Sequence, residues 1–344
     1  MGDAGDGLTH SSDADPGLHR RRRGRGFSYT DSSGDRVTDE KTLERIRALV
    51  IPPAWTDVWI CADATGHVQA TGRDVKDRKQ YLYHPRWRET RDTAKFDELA
   101  GFGESLVALR EQVDADMGAR TLSLDRVVAT VVRLLDETLI RVGNDEYVHS
   151  GESYGLTTLR NRHAVVEGAE VRFRFAGKSG TRHDVVVHDR RVAGIVRRCR
   201  ELPGQQLLRY VDGDVVRDVG SRDVNDYLAR VTGAGYTAKT FRTWGASAVA
   251  LGHLRRLEPA DQREHDAQRV EAVRVAADRL HNTPAVCRKS YVHPAILADD
   301  RADLDRLLAR SRANAVRTSR WMEADERALL KFLSVAERAR RDAA

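Results

Sequence analysis

The sequence predicts an α+β protein, with a small β-rich region at the N-terminus and a larger, mainly α-helical region after it. The length of 344 residues exceeds what one small hydrophobic core organises, so two domains are expected. Apolar and polar residues alternate in several segments between Phe27 and Tyr83, which is typical of strands. From Phe96 onward, most segments place apolar residues three and four positions apart, which is typical of helices.

The first 25 residues contain almost no apolar side chains and include the basic run from His19 to Arg25. This composition predicts a disordered basic arm over residues 1–25. Such an arm could follow a phosphate backbone, or it could be a solvated tail without a specific partner. The residues themselves favour neither alternative.

An N-terminal β-rich domain is predicted over residues 26–92. Its alternating segments are separated by clusters of Gly, Asp and Ser, as in antiparallel hairpins. Thr38 or Asp39 can cap a short helix. The predicted strand segments are Phe27 to Val37 around a turn, Val58 to Ala62, and His67 to Thr71.

A basic segment leads into the last predicted strand of this domain. Arg78 and Lys79 precede Gln80, Tyr81 and Tyr83, and strand alternation places both tyrosines on one face. Cations hold phosphates, glutamine binds adenine edges, and tyrosine contacts sugar, phosphate or base. The alternative is an edge strand with aromatic packing beside a charged loop. The mixture of residue types favours a nucleic-acid surface.

The predicted catalytic domain, residues 93–344, contains two candidate catalytic cations in its first half. Arg141 follows an apolar helical face that runs from Leu124 to Leu139, where it could complement the helix dipole or be held rigidly toward a ligand. Lys178 lies at the predicted tip of a hairpin. The sequence Gly177-Lys178-Ser179 does not predict nucleotide binding, because the phosphate-loop motif needs a glycine where Arg172 stands.

Lysine is rare in this chain: 50 of its 58 basic residues are arginine. Unlike arginine, lysine can lose its proton near neutral pH when it is desolvated. A role in proton transfer is therefore considered for each lysine. Lys239 and Arg242 share a face near the start of a predicted helix, where cations oppose the dipole unless an anion is bound. Further helices are predicted at about 221–232, 238–256, 261–281, 300–311 and 323–341.

The stretch from Asn282 to Tyr291 is the candidate catalytic segment. Thr283-Pro284 is a helix-start signal, so a short helix is expected to deliver Tyr291 beside Arg288 and Lys289. A phenol has a pKa of about 10, and nearby cations favour the phenolate. Taken alone, the stretch favours a half-buried tyrosine beside a basic face without a catalytic role.

The composition excludes several other classes of site. The three cysteines lack metal-ligand spacing, and no motif of a zinc or two-metal site is present, so we expect no metal and no cofactor. No apolar run reaches the length of a membrane span and no signal peptide is seen. The odd, sparse cysteine count is typical of a reducing cytosol, so we expect a cytoplasmic protein. The net charge of +6 permits a polyanionic partner.

Cations and a tyrosine without a metal fit phosphodiester transesterification. Arg141 and Arg242 would stabilise the charge on the non-bridging oxygens, and Asn282 would donate a neutral hydrogen bond to them. Tyr291 would attack phosphorus and become esterified to it. Lys178 would protonate the departing sugar oxygen, which arginine cannot easily do.

These positions resemble the type IB DNA topoisomerases, in the short form of poxviruses and bacteria. The resemblance rests on Gly72 to Tyr83, Arg141 to His163, Phe175 to Lys178, Lys239 to Gly245 and Asn282 to Tyr291. It implies that Arg141, Lys178, Arg242 and Tyr291 are catalytic, and that a 3′-phosphotyrosyl intermediate forms. It also implies that two domains close as a clamp around double-stranded DNA.

The resemblance further implies DNA contacts by Gln80, Tyr81 and Tyr83, and phosphate contacts by Tyr147 and Lys239. We expect a monomer that uses no nucleotide and lies in the bacterial nucleoid. One departure is present: the poxvirus form has a histidine nine positions before its tyrosine, where this chain has Asn282. Asn282 can still donate to a phosphate oxygen but cannot be charged.

Two alternatives remain at this stage. A tyrosine recombinase has a related catalytic domain, but is expected to carry a helical domain in front of it rather than strands with Gln-Tyr-x-Tyr. A non-catalytic DNA clamp explains the basic patches, but not the recurrence of cations and a tyrosine at these spacings.

Overall fold

The computed structural model describes residues 7–144, 153–299, 301–313 and 320–343. The chain divides into two compact units, Met1–Ala94 and Lys95–Ala344. The predicted boundary after residue 92 lies two residues earlier. The first unit contains a β-sheet and the second is mainly helical, which confirms the predicted α+β class.

The first unit is built on a five-stranded antiparallel sheet with the order β2-β1-β3-β4-β5. One face of the sheet packs against helix α1 through an apolar core that includes Ile46, Val58 and Ile60. Asp39 caps α1, as predicted, by accepting a hydrogen bond from the Thr42 backbone N–H. The elements are β1 (Gly17–Arg23), β2 (Gly26–Thr30), α1 (Glu40–Ala48), β3 (Thr56–Cys61), β4 (Val68–Arg73) and β5 (Lys79–Tyr83).

The prediction of a disordered arm over residues 1–25 is wrong for β1, which lies between β2 and β3 in the sheet. Leu18 supplies the apolar anchor: it is 8% exposed and belongs to the core of this unit. The Arg20 guanidinium is a structural group, because it donates hydrogen bonds to three carbonyls of the loop before β3. These carbonyls belong to Ile51, Pro52 and Trp55.

The second unit combines a helical core with two small sheets, of order β6-β7-β8 and β10-β9. The elements are α2 (Pro85–Asp97, which spans the unit boundary), α3 (Leu99–Met117), α4 (Leu124–Thr138), β6 (Ala164–Glu167), β7 (Glu170–Ala176), β8 (Arg182–His188), α5 (Arg190–Glu201), β9 (Arg209–Asp212), β10 (Val215–Asp218), α6 (Ser221–Thr232), α7 (Ala238–Leu254), α8 (Gln262–Arg279), α9 (Pro284–Ser290), α10 (Arg301–Ala313) and α11 (Ala324–Ala343).

Helix α4 lies in the middle of the second unit and carries the predicted apolar face. Val127, Val131, Leu134 and Leu135 are all fully buried. The helix ends at Leu139, which takes a left-handed conformation with φ of 55°. The chain therefore turns sharply just before Arg141.

A buried ion network joins four helices around this core. The Arg110 guanidinium on α3 pairs with Asp136 of α4 and with Glu326 of α11, both at 2.7 Å. Trp244 of α7 donates from Nε1 to Glu326 Oε1 at 2.9 Å. A Cβ at Gly103 would lie 2.4 Å from the Trp244 ring, so only glycine allows α3 to approach α7 this closely.

Candidate active site

The first predicted catalytic residue, Arg141, lies in a backbone segment held by close contacts. Its carbonyl accepts a 2.9 Å hydrogen bond from the Leu156 N–H. A Cβ at Gly155 would lie 2.6 Å from the same carbonyl and 2.4 Å from the Gly143 nitrogen. Glycine at position 155 therefore allows the two chain segments to pack together and fixes the backbone of Arg141.

Arg242 lies in the first turns of α7 and is buried, with 3% of its surface exposed. Its guanidinium donates to the carbonyl of Leu139, where α4 ends, and to the carbonyl of Leu280 at 3.1 Å. The guanidinium carbon lies 5.0 Å from the centre of the Tyr291 ring. Its Nε is buried and has no hydrogen-bond partner among the described residues.

Tyr291 directly follows the short helix α9, which Thr283 caps through a hydrogen bond from the Val286 N–H. This confirms the predicted helix start. The Tyr291 N–H donates to the Cys287 carbonyl at 2.9 Å, and its own carbonyl accepts from Ser247 Oγ of α7 at 3.2 Å. The side chain is 8% exposed. Helix α7 thus fixes both the backbone of Tyr291 and the arginine beside its ring.

Electrostatics favour ionisation of the Tyr291 phenol. Burial by itself would raise the pKa of Tyr291. The positive charge of Arg242 and its hydrogen bond to the phenol, followed by the charges of Arg141 and Lys239, outweigh this effect and lower the pKa below its usual value of about 10. The phenol is therefore closer to its nucleophilic form than a tyrosine in water.

Asn282 follows a left-handed residue, His281, whose φ is 50°. Its backbone N–H returns to the Ala277 carbonyl at 2.9 Å, at the end of α8. The side-chain Oδ1 accepts a 2.8 Å hydrogen bond from Arg141 Nη2. The Nδ2 group is buried and unpartnered within the described part of the chain. Asn282 therefore has a free amide donor next to a catalytic candidate.

Lys178 lies at the tip of the β7–β8 hairpin, as predicted, and is exposed. The tip is tight: Ser179 has φ of 62°, and the Gly177 N–H donates to the Thr181 carbonyl at 2.7 Å. The Lys178 ammonium makes no hydrogen bond or ion pair with any described residue. The structure brings Arg141, Arg242, Asn282 and Tyr291 together, whereas Lys178 is not joined to them by a contact.

His183 is a residue of the site that the sequence did not reveal. It lies on β8 with 5% of its surface exposed, stacks on Phe175 at 4.6 Å, and packs edge-on against His281 at 4.7 Å between ring centres. Burial and the charges of His281, Arg141 and Arg242 lower the pKa of His183 to about 4. In the sequence, the burial of His183 is indicated only by its place among the inward-facing residues of β8.

The predicted DNA-binding residues of the first unit lie on and beside the edge strand β5. The rings of Tyr81 and Tyr83 stack at 5.9 Å with 15° between their planes, and they are 44% and 36% exposed. This confirms that the two tyrosines share a face. Lys79 pairs with Asp13 at 2.6 Å. Gln80 lies on the other face of the strand.

Asp74 holds two of these side chains in the turn before β5. Gln80 Nε2 donates to Asp74 Oδ2 at 3.1 Å, and Arg78 Nε donates to the same oxygen at 2.8 Å. The Arg78 hydrogen bond is the largest of the effects that lower the pKa of Asp74 to about 2. A ligand would therefore have to compete with this carboxylate for both groups.

Lys239 and Tyr147 are the two remaining residues that were predicted to contact DNA phosphates. Lys239 is exposed at the start of α7, and its charge acts on Tyr291 as described above. Tyr147 lies outside the described residues.

Within the described ranges, no cluster of three His, Cys, Asp or Glu residues could hold a metal ion. No described helix has both the length and the apolar character that a membrane span needs.

Comparison with protein families identifies the family to which the chain belongs. The catalytic core of eukaryotic DNA topoisomerase I matches residues 84–312, about two thirds of the chain. The N-terminal domain of bacterial DNA topoisomerase IB matches residues 26–74. The chain belongs to the type IB DNA topoisomerase family. The predicted family is thereby confirmed, and the recombinase and non-catalytic interpretations lose their support.

Three viral proteins are among the individual relatives of this topoisomerase IB chain. DNA topoisomerase 1B of Acanthamoeba polyphaga mimivirus is 30% identical over 285 residues, which cover 80% of this chain and 85% of the relative. DNA topoisomerase 1B of Vaccinia virus (strain Copenhagen) is 29% identical over 156 residues, 44% of this chain and 49% of the relative. DNA topoisomerase 1 of Rabbit fibroma virus is 23% identical over 276 residues, 74% of this chain and 81% of the relative.

Proposed function

We propose that this type IB topoisomerase relaxes supercoiled duplex DNA by transient cleavage of one strand, with Tyr291 as nucleophile and without ATP or metal. The observation that carries the proposal is the convergence of four side chains from separate parts of the chain. Arg242 lies beside the Tyr291 ring, and Arg141 is bonded to Asn282. Two buried donor atoms, Arg242 Nε and Asn282 Nδ2, have no partner among the described residues and could bind a ligand.

In the first step the Tyr291 oxygen attacks phosphorus and loses its proton to solvent. A bond forms between this oxygen and phosphorus, and the bond from phosphorus to the 5′ sugar oxygen breaks. The product is a 3′-phosphotyrosyl ester and a free 5′ hydroxyl. The ester retains the energy of the phosphodiester, so the reverse reaction can reseal the strand after rotation.

Arg141, Arg242 and Asn282 would bind the non-bridging oxygens of the reacting phosphate. Charge builds on these oxygens in the transition state, and donors held in place before the reaction stabilise it most. Both arginines are fixed by the protein: the backbone of Arg141 by Leu156, and the guanidinium of Arg242 by two carbonyls. The site is therefore preorganised for a tetrahedral, doubly contacted anion.

Lys178 would give its proton to the departing 5′ oxygen. An alkoxide is a poor leaving group, and lysine is the only cation of this set that can act as an acid. The exposed tip of the β7–β8 hairpin leaves the ammonium free to approach bound DNA. The assignment of Lys178 rests on this chemistry and on the family resemblance.

Binding of double-stranded DNA would involve Lys79, Tyr81 and Tyr83 on the exposed face of β5, with Arg78 and Gln80 released from Asp74. Lys239, and Tyr147 by resemblance, would contact phosphates in the second unit. We propose a monomer, because one chain supplies every residue of the cluster. We propose that no nucleotide is needed, because the phosphotyrosyl ester retains the energy for resealing.

Relaxation of a supercoiled plasmid in EDTA, without ATP, tests this function. Tyr291→Phe is expected to bind duplex DNA normally and to relax none of it, whereas Tyr210→Phe, on β9 outside the cluster, should relax at the wild-type rate. A covalent DNA–peptide adduct should map to Tyr291 through a 3′ phosphate. Residual relaxation by Tyr291→Phe, or a strict need for magnesium or a nucleotide, would refute the proposal.

A further inference from the structure

The hairpin formed by β1 and β2 ends in a basic tip that the proposed chemistry does not use. Its turn includes Gly24, which has φ of 59°. Arg21, Arg22, Arg23 and Arg25 are exposed around this turn. Over the described residues, none of these four side chains makes a hydrogen bond or an ion pair. The tip is therefore a site of uncompensated positive charge.

The strand register relates this hairpin to β5. His19 of β1 pairs with Trp59 of β3, Trp59 pairs with Thr71 of β4, and Thr71 pairs with Tyr81 of β5. Residues paired in this way lie side by side on the same face of a sheet. His19 and Tyr81 therefore share a face.

Alternation along each strand extends this face to the basic residues. Arg21 and Arg23 lie two and four residues after His19, so they share its face. Lys79 and Tyr83 lie two residues either side of Tyr81 and share the face as well. One face of the sheet thus carries both the tyrosines of β5 and two arginines of the hairpin.

The other two arginines of β1 belong to the opposite face. Arg20 pairs with Tyr29, and Arg22 pairs with Phe27. The Arg20 guanidinium lies 4.1 Å from the centre of the Phe27 ring, on the side of the sheet that packs against α1. Arg22 is exposed beyond this packing, so it provides a charge-matched neighbour that does not face the tyrosines.

The tip also lies at the same end of the sheet as the basic turn before β5. Since β1 and β4 are each antiparallel to β3, they run in the same direction. The β1–β2 turn and the β4–β5 turn therefore leave the sheet at one end. Strands β1 and β5 are three positions apart, which corresponds to about 14 Å. This separation is close to the roughly 12 Å width of a DNA major groove.

Charge compensation on this face favours the hairpin as a phosphate contact. Lys79 is paired with Asp13, and Arg73 lies within ion-pair distance of Asp57 and Asp77. Arg21 and Arg23 have no such partner among the described residues. Within the described part of the chain, an incoming polyanion therefore has no carboxylate to displace from these two arginines.

We propose that Arg21 and Arg23 form a second phosphate-binding surface for duplex DNA, across a groove from Lys79, Tyr81 and Tyr83. The surface rests on the proposed DNA-relaxing function, and it would lengthen the DNA segment held by the first unit. It would bind the backbone without reading base sequence, because guanidinium groups bind phosphate regardless of the neighbouring base.

The test is the salt dependence of binding to a fluorescent duplex by the full chain carrying Tyr291→Phe, which prevents covalent trapping. Each phosphate contact contributes about 0.9 to the slope of log affinity against log salt. Arg21→Ala with Arg23→Ala should reduce the magnitude of the slope by about 1.8. An unchanged slope would overturn the proposal.

Two further variants separate charge and face from folding. Arg21→Lys with Arg23→Lys should keep the slope of the parent protein, which a role of arginine in packing would not predict. Arg22→Ala should leave the slope within error of the parent, because its side chain is on the opposite face. A loss for Arg22→Ala equal to that of the double variant would refute the assignment to the tyrosine face.

The outcome is separable from that of the proposed catalytic function. Plasmid relaxation depends on Tyr291, whereas the hairpin is tested by binding alone. If Tyr291→Phe abolishes relaxation but the hairpin variants bind with the parent slope, only the second surface fails. If Tyr291→Phe still relaxes DNA, the catalytic proposal fails whatever the slopes are.

Discussion

Arg141 Nη2 donates a 2.8 Å hydrogen bond to Oδ1 of Asn282. This contact fixes the orientation of the amide, because the oxygen is engaged and the Nδ2 group is turned away from the arginine. Nδ2 is buried without a partner in the described structure, and an unsatisfied buried donor destabilises a protein by about 1–3 kcal/mol. A bound phosphate oxygen would satisfy it.

We therefore expect Asn282→Ala to slow DNA cleavage by roughly ten- to a hundredfold, because the transition state loses one hydrogen-bond donor. Asn282→Asp should be slower still, because a carboxylate would repel the phosphate. Single-turnover cleavage of a duplex substrate measures both effects. Wild-type rates for Asn282→Ala would show that the amide does not touch the reacting phosphate.

Asn282 also predicts how cleavage depends on pH. An amide does not titrate, so the wild-type rate should show no limb near pH 6.5 that originates at this position. Asn282→His should introduce one, since a protonated imidazole donates a stronger hydrogen bond. A limb near pH 6.5 in the wild type that disappears in Asn282→Ala would contradict this account.

Lys239 should influence cleavage through the nucleophile. Its charge is among those that lower the pKa of Tyr291, after the effects of burial, Arg242 and Arg141. Lys239→Met removes a positive charge, so the pKa of the phenol should rise and the alkaline limb of the cleavage rate should move to higher pH. Saturating DNA separates this effect from weaker binding. Lys289→Met, at an exposed lysine of α9, should leave the limb in place.

Lys178 should be needed for departure of the 5′ oxygen and not for binding. Lys178→Arg keeps the charge but cannot release a proton, so cleavage should slow by roughly a hundredfold or more. A substrate with sulfur in place of the 5′ bridging oxygen should restore the rate, because a thiolate leaves without protonation. Equal slowing on the oxygen and sulfur substrates would remove Lys178 from the role of general acid.

Regular elements of the catalytic region followed directly from sequence spacing. Helix α4 was predictable because its apolar residues recur every three to four positions, and α9 was predictable because Thr283 and Pro284 mark a start. The strand β1 was not, because one apolar residue, Leu18, lies within a run of arginines. Its formation depends on tertiary contacts of Leu18 and Arg20 that no local pattern expresses.

The candidate active site likewise combines residues that the sequence predicted with contacts that it did not. Arg141, Arg242 and Tyr291 were found as separate cations and a tyrosine, and their common role was inferred from transesterification chemistry and from the family resemblance. The structure adds what spacing cannot express: the Arg141–Asn282 hydrogen bond, the Asn282 Nδ2 group without a partner among the described residues, and His183 stacked on Phe175 within the β7–β8 hairpin. Each depends on segments more than a hundred residues apart or on the inward face of a strand.

Buried histidines should make the second unit sensitive to acid. Burial lowers the pKa of His163, His183 and His293 to about 4, from 6.5 in an unfolded chain. Between these values the unfolded chain binds protons that the folded chain does not, so stability is lost as the pH falls from 6.5 toward 4. The shift sets an upper limit of ~3.4 kcal/mol on the contribution of each histidine to this loss.

Denaturant unfolding across this pH range measures the effect. His183→Phe retains the ring stacked on Phe175 and removes the titration, so its free energy of unfolding should fall less steeply with acid than that of the wild type. Parallel curves for the wild type and His183→Phe would show that His183 does not couple to folding.

Asp13 is expected to restrain the first unit from binding DNA. Its carboxylate lies 2.6 Å from the Lys79 ammonium, and the hydrogen bond from Lys79 is the largest of the effects that lower the pKa of Asp13. Asp13→Asn should free Lys79 for a phosphate and tighten duplex binding by about two- to fivefold, the range of an exposed ion pair.

The gain should require Lys79 itself. Asp35→Asn makes the same change in net charge at an exposed loop position, so it should tighten binding less than Asp13→Asn does. Combining Asp13→Asn with Lys79→Met should abolish the gain, because the ammonium that was released is then absent. Equal affinities for Asp13→Asn and Asp35→Asn would mean that Asp13 acts only through net charge. In that case the 2.6 Å pair does not compete with DNA for Lys79.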